Sequence, residues 1–320
     1  GARAGPSLTM YASAQVHDVN TRAADMLGLG RDAVRSIPCD DDLRMRVDAL
    51  RTAIARDIRT GHKPIAVIAT AGTVSTGAID PLDAIADVCA EHGLWMHVDG
   101  AYGGVAALTE ALHPLFNGIE RADSVALDPH KWLYTPHSGG VIVVRDMQSL
   151  ADAFAIEPSY VHEDKELTGR GTDLYALGPQ FSRGFHALKI WVSLLAHGWS
   201  AYERRIAHDV ALARYLFDRA AAHPDLETVG PVPSLSIACF RYVPRELRGD
   251  ASEEEYLNRL NERLMSELQL DGRVFPSNAI LEGRFAIRAC IVNFRTEAGD
   301  LDALIEKAVK IGGALHRQGV

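Results

Sequence analysis

The 320-residue chain is 47% hydrophobic and 23% charged, an ordinary globular balance with room for one large domain and a smaller one. A formal charge of −9 offers nothing to attract nucleic acid or an anionic membrane surface. No apolar run reaches the roughly 20 residues of a membrane span, and no signal peptide is visible. Cys39, Cys89, Cys239 and Cys290 form no CxxC pair, which fits reduced thiols in a cytoplasmic protein better than a disulfide framework or a zinc site. The chain starts at Gly1 within a polar stretch, which reads as a fragment or a processed start.

Leu8–Ser13 reads as a strand, followed by a helix over Val19–Leu27 that Gly28 and Gly30 close. Asp42–Thr60 carries Leu43, Val47, Leu50, Ile54 and Ile58 at helical spacing and ends at Gly61. Ile65–Thr70 is apolar up to its last residue, as a doubly covered parallel strand is. The loop Ala71–Asp80 leads to a helix over Pro81–His92. Its Gly72 and Gly77 fit neither GxGxxG nor a Walker loop. Leu94–Val98, a helical stretch over Ala107–Phe116, and Ser124–Leu127 continue the alternation, and a further apolar run follows at Gly140–Val144. This pattern predicts a mostly parallel α/β sheet with its loop ends gathered on one edge.

Residues 155–181 are irregular and polar, the pattern of a functional lid or an unstructured segment. Arg183–Ala222 reads as helical, interrupted at Gly198, with Phe185, Leu188, Trp191 and Leu195 at core-facing spacing. Trp191 and Trp199 read as packing aromatics. Leu235–Tyr242 and Phe285–Phe294 read as alternating strands, and Glu253–Leu268 and Gly299–Leu315 as amphipathic helices, which together predict a small α+β domain. The expected division is 1–195 for the large domain and 196–320 for the small one. The thirteen histidines show no metal-binding spacing, so no metal is expected.

Two strand ends carry charge. LWMHVDGAY, Leu94–Tyr102, ends in Asp99 followed by small residues, and Ser124–Leu127 runs into Asp128-Pro129-His130-Lys131-Trp132. Ligands collect at the carboxyl ends of strands in such sheets. A lysine between two buried strands is costly unless solvated, paired or used chemically. A structural salt bridge or a solvated loop lysine also accounts for an arbitrary Asp and Lys. Pyridoxal phosphate needs both groups, a lysine for its Schiff base and a carboxylate for its pyridinium nitrogen. HVDGAY and DPHKW, preceded by TAGTVSTGAID, resemble the group II pyridoxal-phosphate-dependent amino-acid decarboxylases, whose usual motifs are HVDAAY and NPHKW. The resemblance runs from about Leu8 to about Leu315.

It implies the aspartate aminotransferase-like fold type I, a carboxy-lyase, and a homodimer with its active site at the interface. It also implies that Lys131 holds the cofactor as a Schiff base, Asp99 keeps the ring nitrogen protonated, and Ala101 packs on the ring face. Thr73 lies in the family's GT(T/V) loop as a further cofactor contact. Tyr11, Ser13, Gln15 and His17 reproduce the family's YxSxQxH, whose histidine stacks on the ring and orients the substrate carboxylate. His130 is implied as a cofactor contact and an alternative proton donor to the lid tyrosine. Counting back from Ser182–Lys189 puts Leu174 where the aromatic members have that tyrosine, with Tyr175 one residue later as the candidate donor. A missing tyrosine favours oxidative deamination, so an aldehyde synthase is the alternative to decarboxylation. Asp128 stands where asparagine is common, and the family's phosphate-binding segment, upstream of YxSxQxH, is absent, so the chain reads as an N-terminally incomplete member. A non-catalytic remnant or interaction subunit is the third alternative. The expected substrate is an aromatic L-amino acid.

Overall fold

The computed structural model describes residues 5–137, 139–154 and 174–319. β1 (Leu8–Ser13), β2 (Val34–Ile37), β3 (Lys63–Thr70), β4 (Trp95–Asp99), β5 (Ser124–Leu127) and β6 (Val141–Val144) form one sheet in the order β2-β1-β3-β4-β5-β6. The first five strands are parallel, and β6 returns antiparallel to β5. Parallel pairing requires crossovers. The helices Val47–Arg59 and Leu82–His92 provide two of them, burying Leu50, Ile54, Ile85 and Val88 in one core with Val67, Met96 and Val98 of the sheet.

A second, antiparallel sheet follows: β7 (Leu226–Thr228), β8 (Ile237–Tyr242), β9 (Ser277–Leu281) and β10 (Arg284–Cys290), in the order β7-β8-β10-β9. It packs with the helices Trp199–Ala222, Glu254–Asp271 and Ala298–Gln318. Its central strand β8 is not half-exposed as alternation would require, because every residue in it is buried. Ile237 and Cys239 join the core of the large sheet, while Ala238, Phe240 and Tyr242 join the core beneath the helices. The alternation is therefore between two cores, not between core and water.

Several boundaries differ from expectation. Residues 42–46 do not begin the helix. Asp40 accepts the backbone N–H groups of Asp42 and Arg44, Leu43 adopts φ 60°, and Cys39 pairs with Met45, so the chain turns tightly before Val47. Ala107–Phe116 resolves into two 3-10 turns, Gly104–Leu108 and His113–Phe116. β10 stops at Cys290, where the next backbone N–H, that of Ile291, leaves for Ser236 O. The long helical region does break at Gly198, which sits at φ 70°, between Ala187–His197 and Trp199–Ala222. Phe185, Leu188, Trp191 and Leu195, expected to face the core, are instead exposed. Helical spacing fixes a common stripe but not what covers it. Of the expected lid, residues 155–173 lie outside the described residues.

Asp80 joins the tight turn to the sheet edge that carries the strand ends. One carboxylate oxygen accepts Met45 N–H at 2.7 Å and the other accepts Thr70 N–H at 2.8 Å. Burial pushes this carboxyl up to about 6. A native pKa above the unfolded value means that the folded state holds the proton longer, so stability falls as pH rises from about 4 through 6. Urea unfolding of the protein beside Asp80→Asn should show the difference between them shifting against the wild type by about 2–3 kcal/mol across that window. A pH-independent difference would contradict the assignment.

Candidate active site

Small residues let the strand ends converge. After Asp99 the chain runs Gly100-Ala101-Tyr102-Gly103-Gly104. A Cβ on Gly103 would stand 2.5 Å from Ala71 O, and one on Gly104 would stand 2.5 Å from Leu127 Cδ2. The first contact is with backbone that cannot give and the second would displace the Leu127 side chain, so glycine allows this segment to pack between the ends of β3 and β5. Asp99 is thereby buried at the end of β4, with Oδ1 accepting Ala101 N–H at 3.2 Å and Oδ2 accepting Asn20 Nδ2–H at 3.0 Å. Across the gap, Asp128 N–H donates to Ala101 O at 3.1 Å and starts the turn that carries Lys131. The Lys131 ammonium lies 3.0 Å from Asp128 Oδ2, so the acid in place of the usual asparagine has the lysine itself as its partner.

The turn is anchored from behind. Trp132 is fully buried, stacks on Tyr102 at 5.0 Å between ring centroids, and donates its indole N–H to Asp209 Oδ2 at 3.0 Å. Tyr134 holds φ 52°, a left-handed conformation that is uncommon for a bulky residue, and its hydroxyl donates to the same oxygen at 2.7 Å. Asp209 sits in the buried stripe of the helix Trp199–Ala222 and is completely buried, with Arg205 Nε 3.0 Å from its other oxygen. Burial raises its carboxyl above the ordinary value, against the hydrogen bonds from Tyr134 and Trp132 and the attraction of Arg205. Tyr102 adds a second anchor. Its hydroxyl accepts Ser236 N–H at 2.8 Å and so ties the loop after β4 to the entry of β8.

His17 caps the helix Asp18–Met26, with Nδ1 accepting Val19 N–H at 3.0 Å. A nitrogen that accepts carries no proton, so the neutral ring keeps its proton on Nε2. His17, Thr70, Asp99, Ala101, Asp128 and Lys131 all line a cleft of about 180 Å³. The structure thus brings together Lys131, Asp99, Ala101 and His17. Three other expected residues stand apart from that lining. Thr73 is fully buried and closes its own loop, accepting Ala78 N–H and pairing with the Thr76 hydroxyl. His130 stacks on His137 at 4.5 Å with Nδ1 3.4 Å from Gly139 O. Tyr175 lies in the short turn Leu174–Leu177 with its ring 4.7 Å from that of Phe181. Arg183, also on that side, donates to Leu174 O. No group of residues suited to hold a metal ion occurs among the described residues.

Asn20 and Asp209 are the contributors that sequence reasoning missed. Asp209 was detectable as a lone acid inside an otherwise apolar stripe, between Ile206 and Leu212. Asn20 left no such signal.

The pyridoxal-dependent decarboxylase conserved domain matches residues 5–243. The chain belongs to the pyridoxal-dependent decarboxylase family. It is 35% identical over 298 residues to the aromatic-L-amino-acid decarboxylase of Bacillus atrophaeus, covering 93% of this chain and 61% of that protein. It is 38% identical over 263 residues to the cysteine sulfinic acid decarboxylase of Mus musculus, covering 82% of this chain and 53% of that protein. The crystal structure of Oryza sativa TDC with PLP and tryptamine superposes with a TM-score of 0.90 at 30% identity, covering 98% of this chain and 64% of that one. The chain thus spans between about half and two thirds of the length of these relatives. Its fold is that of the family, fold type I with a mostly parallel central sheet.

The cleft fits the family's cofactor, pyridoxal phosphate. It offers an amine for a carbonyl, a carboxylate already oriented by two hydrogen bonds, a small side chain at Ala101 and an imidazole at its side. Placement of the amine depends on the buried anchor behind it. Asp209→Ala leaves Trp132 N–H, Tyr134 O–H and the Arg205 charge without their acceptor, and should cost about 3–5 kcal/mol in chemical denaturation. Asp209→Asn, which keeps one acceptor oxygen, should cost less. Equal and small losses for both would contradict the anchor.

Proposed function

We propose that the protein decarboxylates an L-amino acid to the amine and carbon dioxide, with an aromatic amino acid as the first substrate and Lys131 as the Schiff-base lysine. The observation that carries this reading is the convergence of Lys131, Asp99, Ala101 and His17 on one cleft at the ends of β4 and β5. The aromatic preference is supported by the likeness to the Bacillus atrophaeus enzyme, which extends over 93% of the chain.

Lys131, Asp99, Ala101 and His17 would hold pyridoxal phosphate, which supplies a carbonyl that captures amines and a ring that accepts the electrons of a breaking bond. Asp128 keeps the Lys131 ammonium at the cleft until it is deprotonated to react. Asp99 presents a fixed anionic acceptor for a proton on the ring nitrogen. His17, its Nδ1 committed to the helix cap, presents Nε2–H as the donor that orients a substrate carboxylate. Neither His130 nor Tyr175 lines the cleft within one chain; of the lid tyrosine, His130 and a water as proton donors, we assign the role to Tyr175, brought in on assembly. A homodimer with the site at the interface accounts for this. It also accounts for the exposed apolar side chains of Phe185, Trp191 and Leu195. We read the chain as dividing near residue 195, between the last strand of the large sheet and the first of the small one. The four cysteines are free, in keeping with a reducing, cytoplasmic setting.

Borohydride reduction of the protein with pyridoxal phosphate, followed by peptide mass mapping, should place a stable label on Lys131 that Lys131→Ala lacks. A carbon-dioxide assay should then favour L-tryptophan, L-tyrosine or L-phenylalanine over cysteine sulfinate and glutamate. A label elsewhere would overturn the site, and preference for an acidic substrate would overturn the aromatic assignment. With the amine product itself quantified, Tyr175→Phe should lower amine formation at least tenfold while the label on Lys131 persists. Unchanged amine formation would remove Tyr175 from the proton-donor role.

A further inference from the structure

We infer that Asn20 is a positioning residue that tunes Asp99 toward the cofactor ring nitrogen and couples it to His17; this rests on the site assignment above. Asn20 occupies the first turn of the helix that His17 caps, and its backbone N–H donates to His17 O at 3.0 Å. Its side-chain nitrogen donates to Asp99 Oδ2 at 3.0 Å and lies 3.3 Å from His17 O. Both partners are acceptors only, so the amide nitrogen, not the oxygen, must face them. One NH₂ group therefore joins the two residues that flank the cleft from different elements, 79 positions apart in one case and three in the other.

The consequence is directional. Asp99 Oδ1 is already engaged by Ala101 N–H, so Asn20 supplies the second donor and fixes the plane of the carboxylate. A donor on a carboxylate favours its anionic form. In contact with a ring nitrogen, that preference keeps the shared proton on the nitrogen, where it raises the ring's capacity to accept electrons. A merely structural link between the helix and β4 would not affect where that proton resides.

The test uses Asn20→Leu, which keeps the branched shape without the donor, and Asn20→Asp, which sets a like charge beside Asp99. Three quantities are read: the Kd for pyridoxal phosphate by absorbance titration, the ¹⁵N resonance of ring-labelled cofactor bound to the protein, and the melting temperature without cofactor. The inference expects Asn20→Leu to raise the Kd at least about tenfold, the range of one lost hydrogen bond to a charged group. It also expects the ring-nitrogen resonance to move toward its unprotonated position. Asn20→Asp should weaken binding further, because it removes the donor and sets a second carboxylate against Asp99. An unchanged Kd and an unchanged resonance in Asn20→Leu, with or without a lower melting temperature, would overturn the inference while leaving Lys131 as the lysine. A wild-type protein that takes no cofactor on Lys131 would overturn the site assignment and the inference together.

Discussion

The arrangement depends most on one buried carboxylate. Asp209 has no solvent exposure and receives Trp132 and Tyr134 on a single oxygen while Arg205 balances it on the other side. A buried charge of this kind is costly unless it is paired, and here two hydrogen bonds on one oxygen and an ion pair at the other offset that cost. Residues 130–134 are therefore held in a turn that ends in a left-handed tyrosine, and Lys131 lines the cleft beside Asp128. The helix Trp199–Ala222 thus serves the site without touching the cleft. It sets the position of the lysine by fixing the tryptophan beside it.

The opposite wall is set by backbone approach and not by charge. Gly103 and Gly104 let the chain after Asp99 pass within contact distance of Ala71 and Leu127, and the hydroxyl of Tyr102 then ties this loop to Ser236. The ends of β3, β4 and β5 consequently lie together, with the small antiparallel sheet held against them through β8. Asp80 does similar work at the end of β3, where its two oxygens hold Met45 and Thr70. Each of these links is a polar group satisfied inside the protein, which is why the strand ends keep one geometry.

Much of this was legible in the sequence. Asp99 closes one apolar run and Lys131 stands in the short turn after another, and a charge at a strand end is visible without a structure. His17 was placed by its motif, and its cap geometry adds the tautomer. The short strands were not legible. Val34–Ile37, Leu226–Thr228 and Ser277–Leu281 are brief and partly polar, so pairing with neighbours distant in sequence decides their conformation, not local pattern. The turn at 39–45 was hidden because Leu43 completes a helical spacing while Asp40 captures the backbone first. The outward stripe of Phe185, Leu188, Trp191 and Leu195 shows the same limit from the other side, since periodicity marks a face and assembly decides its cover. Thr73 resembled a ligand-facing residue by motif, yet its hydroxyl closes its own loop.

The central claim is that the lysine after β5 and the carboxylate at the end of β4 address opposite ends of one ring. A crystal structure of the protein grown with pyridoxal phosphate tests this most directly. The account predicts density continuous with Lys131 Nζ and a ring nitrogen within hydrogen-bonding distance of Asp99. A ring joined to another lysine, or one whose nitrogen points away from Asp99, would contradict it.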